Sequence, residues 1–266
     1  MNWMGCRRMA WAGVVAAMVV LVAGCASGPP SNDLVTDSDQ TKADRAAQLH
    51  MELAAAYFGR GNNEAALDDV KKVLAAKPDS SAAYNLRGLI YASMDQNDLA
   101  EDSFRRAMQL NPRDFDAAHN YAWFLCQKLR YDDADAEFAK LLAQPSYRDI
   151  VRTQLARGVC LARNQHWGDA EQALRRAYEL DPANPAVAVN LTEVLYREQQ
   201  YERARFYIRR VNAVDELVTS QTLWLAMRIE RKLGRDDQVQ LLGNQLRNRF
   251  PDASETLLYE KGRFDD

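Results

Sequence analysis

From Tyr84 to Pro112 the apolar and small positions fall at short helical steps: Tyr84, Leu86, Gly88 and Tyr91, then Ala100, Phe104 and Ala107. A polar stretch from Asp95 to Asp98 divides the two runs, and Pro112 follows the second. That spacing predicts two short amphipathic helices joined by a turn. Gly88 and Ala100 supply the small residues needed where the two helices touch. The pattern then returns along the chain. Ala66, Ala100, Ala134, Ala170, Ala204 and Val239 hold one place in six copies, separated by 34, 34, 36, 34 and 35 residues. Pro78, Pro112, Pro145, Pro182 and Pro251 keep step with them. An irregular helical bundle has no reason to keep such a period.

A helix–turn–helix unit of about 34 residues is the signature of the tetratricopeptide repeat. One unit cannot bury its own apolar face, so the copies must stack. The expected fold is all-α, a right-handed superhelical solenoid of six tetratricopeptide repeats over residues 45–254, with 255–266 as a C-terminal tail. In such stacks the first helix of each unit faces a groove. The repeat register places Met51, Ala55 and Phe58 there in the first unit, Asn85, Leu89 and Ala92 in the second, and His119, Trp123 and Cys126 in the third. The last units contribute Glu193, Arg197, Arg228 and Lys232, a more charged set. An apolar groove in the first half suits an amphipathic helix or extended segment of a partner, with Phe58 and Trp123 as anchors. The competing reading is that Met51, Phe58 and Trp123 fill space between helices.

Bulk composition narrows the function. With 47% hydrophobic residues, 12 Gly and 8 Pro in 266 residues, the chain suits one helical domain. Its formal charge is −3, and the first 24 residues hold Arg7 and Arg8 and no acid, leaving −5 beyond them. An acidic solenoid is a poor partner for nucleic acid. His50, His119 and His166 lie far apart, none with a second ligand at metal spacing, and no nucleophile elbow or phosphate loop occurs. Gly59-Arg60-Gly61 reads as turn chemistry. The expectation is a binding protein: not an enzyme, with no cofactor and no small-molecule substrate.

The N-terminus carries its own signal. Arg7 and Arg8 precede an apolar run from Met9 to Val22 that is short for a membrane span. The run ends Val22-Ala23-Gly24-Cys25, which resembles the bacterial lipoprotein box. The resemblance implies a leader over 1–24, cleavage before Cys25 and lipidation of that cysteine; the alternative is an uncleaved anchor helix with an incidental cysteine. Acyl chains on one residue bury enough methylenes for stable membrane attachment. Ala26, where aspartate would mark retention at the inner membrane, implies sorting to the outer membrane. Residues 25–44, with Pro29, Pro30 and several Ser and Asp, read as a mobile tether.

The third unit holds the most individual stretch, His119-Asn120-Tyr121-Ala122-Trp123-Phe124-Leu125-Cys126-Gln127, followed by Tyr131-Asp132-Asp133-Ala134. Here the chain resembles the type IV pilus biogenesis and stability lipoproteins called PilF or PilW, with Ala122 where that family typically has glycine. Gly158-Val159-Cys160, Leu223-Trp224-Leu225 and Phe250-Pro251-Asp252-Ala253-Ser254 extend the resemblance over all six repeats. It implies a lipid-anchored, periplasm-facing outer-membrane protein that binds the type IV pilus secretin subunit and promotes its localisation and multimerisation. Another reading is a scaffold for a different envelope assembly or protease complex; a third, from a different class, is an envelope hydrolase with an unrecognised site. In an oxidising compartment Cys126 and Cys160, one repeat apart, are the thiols left to form a disulfide. The alternative is two buried free cysteines.

Overall fold

The computed structural model describes residues 41–264. The expected leader, Cys25 and most of the expected tether lie outside the described residues. Among the described residues there are thirteen α-helices and no strand. The first, α1 (Lys42–Gly59), begins inside the stretch expected to be tether. Its start is capped reciprocally: the Asp44 N–H donates to Thr41 Oγ1 at 3.1 Å, and the Thr41 N–H donates to the Asp44 carboxylate at 3.1 Å.

From Ala46 onward the chain forms one compact unit. After α2 (Asn63–Ala76) the helices come in pairs: α3 (Ser81–Ser93) with α4 (Asn97–Leu110), α5 (Phe115–Gln127) with α6 (Tyr131–Leu142), and α7 (Ile150–Arg163) with α8 (Trp167–Leu180). Then come α9 (Pro185–Arg197) with α10 (Tyr201–Asn212), α11 (Ser220–Lys232) with α12 (Asp236–Arg249), and a short α13 (Ser254–Glu260). Each first helix also packs on the first helix of the next pair, α3 on α5, α5 on α7, α7 on α9 and α9 on α11. The result is a stack of helical hairpins, the expected solenoid.

One turn design repeats within the hairpins. Gly61, Asp95, Leu129, Gln165, Gln199 and Gly234 all adopt positive φ, between 56° and 76°. That left-handed residue lets the next N–H reach back to the first helix, as in Asn62 to the Tyr57 carbonyl at 2.9 Å and Gln96 to the Tyr91 carbonyl at 2.9 Å. The same next residue is the N-cap of the second helix, so a single turn closes one helix and opens the other. Glycine serves in the first and last copies; the four between bear side chains at a conformation that disfavours them. First helices are opened by Ser80, Asp114, Asn184 and Thr219, whose side chains accept backbone N–H groups of the first turn.

The hairpins close on the small residues that set the repeat. Ala66, Ala100, Ala134, Ala170 and Ala204 are all 0% exposed. Opposite them, a methyl built on Gly88 would lie 2.7 Å from the Phe104 ring, and one on Gly158 would lie 2.5 Å from Leu174 Cγ. The 36-residue spacing between Ala134 and Ala170 has a local cause. Helix α6 is only 12 residues long, and the loop after it drops Tyr147 into the core, where its hydroxyl lies 2.5 Å from Thr153 Oγ1.

The stretch expected as a tail, 255–266, is described as far as residue 264 and begins within α13. Helix α13 packs on α11 and α12, and Phe264 stacks on Trp224 with ring centroids 5.2 Å apart and planes 17° apart. Phe264 shares a buried cluster with Trp224 and Met227 of the last repeat. Tyr259 packs closely on α12 at Gly243: a Cβ there would lie 2.1 Å from Tyr259 Cζ, so the ring would have to move. This end is a cap.

Candidate protein-binding groove

The first helices present one continuous face. On α1, Met51 and Phe58 are half-buried against the core of Ala54, Val70 and Ile90, and Ala55 is exposed. On α3, Asn85, Leu89 and Ala92 are half-buried. The Asn120 amide donates to Asn85 Oδ1 at 3.1 Å, joining α5 to α3 across this face. Trp123 is half-buried on α5, and the Arg163 guanidinium carbon lies 5.1 Å from its ring centroid.

Two residues expected in the groove are placed elsewhere. His119 is 6% exposed: its ring meets Phe138 edge-on, and Nδ1 lies 2.8 Å from Thr153 Oγ1. Burial, with Arg152 nearby, lowers its pKa to about 4. It is a neutral core histidine. Cys126 is fully buried, directed at Cys160 on α7 with Cα atoms 5.8 Å apart, a separation that suits a disulfide. Both are held inward by neighbours, His119 by Phe138 and Thr153 and Cys126 by Cys160 on α7. What remains open on the first half is a shallow apolar strip of Met51, Ala55, Phe58, Leu89, Ala92 and Trp123.

Counting from the first three units also passes over α7. Leu155, Val159, Ala162 and Arg163 lie on the same face, and Val159, Ala162, Trp167 and Val194 line a cleft of about 230 Å³ between α7 and α9. The two-residue offset in the alanine spacing was the signal that could have found them. Toward the C-terminus Arg197 pairs with Glu193 at 3.0 Å, and Arg228 lies over the Tyr196 ring at 4.5 Å.

Among the described residues no group of three or more His, Cys, Asp or Glu is placed to hold a metal ion. Nor does any described helix have the length and apolarity to cross a membrane. Along the first helices this face carries Met51, Phe58, Leu89 and Trp123 in the first half, and Glu193, Arg197 and Arg228 toward the C-terminus.

Family models described as tetratricopeptide repeat match residues 51–115, 125–185 and 161–217. The chain belongs to the tetratricopeptide repeat family, as its hairpins and turn design require. Within that family it is similar from end to end to the type IV pilus assembly protein PilF of Pseudomonas aeruginosa, 26% identical over 246 residues, 91% of this chain and 96% of PilF. The crystal structure of PilW, a widely conserved type IV pilus biogenesis factor, superposes with a TM-score of 0.73 at 27% identity, covering 81% of this chain and 99% of PilW. A Pseudomonas aeruginosa PilF structure has a TM-score of 0.68 at 22% identity, covering 84% of this chain and all of that one, which speaks for the fold.

Proposed function

We propose that this chain is a type IV pilus biogenesis factor that binds secretin subunits and promotes their delivery to the outer membrane and assembly into multimers. The observation that carries the reading is the alignment with PilF over 96% of that protein, with no large segment of either chain left over. A repeat stack supplies binding surface, so the proposed role is non-catalytic: one attachment to the membrane and one to the partner, carried on the same chain. The membrane attachment is lipid on Cys25, supported by the Val22-Ala23-Gly24-Cys25 box. The partner attachment is the apolar strip of Met51, Ala55, Phe58, Leu89 and Trp123, where half-buried aromatic side chains give anchors for a helix or extended segment. A Cys126–Cys160 disulfide, supported by the 5.8 Å Cα separation, fixes the third unit to the fourth beside that strip.

The test is an immunoblot for heat- and detergent-resistant secretin multimers in membranes of a deletion strain and of the same strain carrying this chain. Loss of multimers with monomer left behind, restored by complementation, is expected. Unchanged multimers in the deletion strain would refute the assembly role.

A further inference from the structure

The fourth to sixth units carry a surface that the apolar strip does not use. Their inward positions hold Arg152 and Arg163 on α7, Arg197 on α9, and Arg228, Arg231 and Lys232 on α11, against one carboxylate, Glu193. This basic lane lies on a chain whose overall charge is −3. Part of it is spoken for. Arg152 bonds Asp116 at 2.7 Å, Arg197 bonds Glu193 at 3.0 Å, and Arg231 covers the Phe264 ring at 4.2 Å. Arg163 and Arg228 are different. Each guanidinium is laid over an aromatic ring, Trp123 and Tyr196 respectively, and neither has a carboxylate within ion-pair distance among the described residues. The Nε of Arg228 is buried with no hydrogen-bond partner.

An arginine stacked on a ring keeps its charge and has its plane fixed, so it loses little freedom when a carboxylate arrives at its edge. The two stand two helix steps apart, on α7 and α11, which at about 10 Å per step is a span of about 20 Å. At about 3.3 Å per residue, that is about six residues of extended chain. Between α7 and α9 lies the cleft of about 230 Å³, with Val159, Ala162, Trp167 and Val194 in its walls and Arg163, Arg197 and the Glu193 carboxylate that Arg197 pairs beside it. That volume is of the size of one large apolar side chain. Separated charges with an apolar recess between them do not suit a single phosphate or a flat anionic surface. They suit a peptide.

We propose that the face of units four to six is a second docking site, whose occupant is an extended acidic segment of a partner protein. Carboxylates of the segment meet Arg163 and Arg228, and an apolar side chain between them enters the cleft between α7 and α9. The site adjoins the apolar strip at Trp123, whose ring lies under Arg163, and does not depend on the secretin reading.

The test uses the purified full chain in non-ionic detergent and fluorescence anisotropy of a fluorescein-labelled octapeptide alternating Glu and Leu, beside its Gln and Leu counterpart. The Glu peptide is expected to bind saturably and to weaken steeply between about 50 mM and about 500 mM salt. The Gln peptide, and the chain with Arg163→Gln and Arg228→Gln, are each expected to bind about tenfold more weakly or worse, since each removes charge-assisted bonds. Met51→Ala with Phe58→Ala is expected to leave the affinity unchanged. Should circular dichroism show the double arginine variant unfolded, Arg163→Gln alone, at an exposed position, carries the comparison and must weaken binding. No saturable binding of the Glu peptide, equal binding of the Gln peptide, or loss only in the Met51 and Phe58 variant would overturn the proposal. A failed secretin immunoblot would leave these outcomes untouched, so the two readings fail separately.

Discussion

Replacing Gly158 by alanine sets two effects of known size against each other. In a helix interior alanine is favoured over glycine by about 1 kcal/mol, so propensity alone makes the variant more stable. The tertiary contact opposes it. The new Cβ falls 2.5 Å from Leu174 Cγ, 3.0 Å from its Cδ2 and 3.3 Å from the Ala170 carbonyl oxygen. Leu174 is 0% exposed and cannot swing aside, and the carbonyl belongs to the backbone of α8. Forcing a methyl into such a site costs about 1–3 kcal/mol, and so the expected net change is a loss of about 1 kcal/mol. Gly168 provides the control, because a methyl there meets nothing within 4 Å, and Gly168→Ala is expected to stabilise by about 0.5–1 kcal/mol. Both are read from urea unfolding midpoints followed by far-ultraviolet circular dichroism. In a Leu174→Ala background the cost of Gly158→Ala should vanish or change sign, since the added methyl then fills space. A Gly158→Ala variant whose midpoint rises in step with Gly168→Ala would refute the claim that close packing of α7 on α8 fixes this residue. The third unit already has Ala122 at the equivalent place, fully buried, so the constraint comes from the facing side chain and not from the repeat as such.

Cys25→Ala should leave the repeats folded but release the chain from the outer-membrane fraction; normal fractionation of that variant would count against the lipid anchor. Reduction, or Cys126→Ser with Cys160→Ser, should lower stability by about 2–4 kcal/mol in urea titrations, and an unchanged midpoint would mean the thiols are free. His119 takes up its proton near pH 4 when folded and near 6.5 when unfolded, so the unfolded state binds more protons between those values. Stability should therefore fall as pH drops from about 6.5 towards 4, and His119→Gln should flatten that part of the profile; an identical slope in the variant would exclude His119 as its source. Phe58→Ala with Trp123→Ala should weaken partner capture while keeping the helical signal, whereas unfolding would mark both as core residues.

The period was legible in the sequence because stacking imposes it. Hairpins favour a small residue where their helices cross, and five alanines with Val239 in the sixth place, at nearly constant spacing, give the fold before any coordinates. The turns were legible as polar breaks, though not as a left-handed residue shared by Gly61, Asp95, Leu129 and their equivalents. That geometry depends on the backbone angle and not on the residue type.

What the sequence by itself determined is therefore the local and periodic part: helical hairpins, their number and their contact residues. Side-chain destinations were decided only by tertiary structure. His119 and Trp123 lie one helical turn apart, yet one is sealed against Phe138 and Thr153 while the other stays half-open under Arg163. His119 and Cys126 are held inward by partners on α6 and α7, Phe138, Thr153 and Cys160, that the repeat register does not name. Residues 255–266 lie beyond the last copy of the period and so read as a tail, and only the tertiary structure stacks Phe264 on Trp224. A repeat register specifies which helix a residue belongs to. How far the next repeat is turned decides whether that residue meets water, a neighbour or a partner.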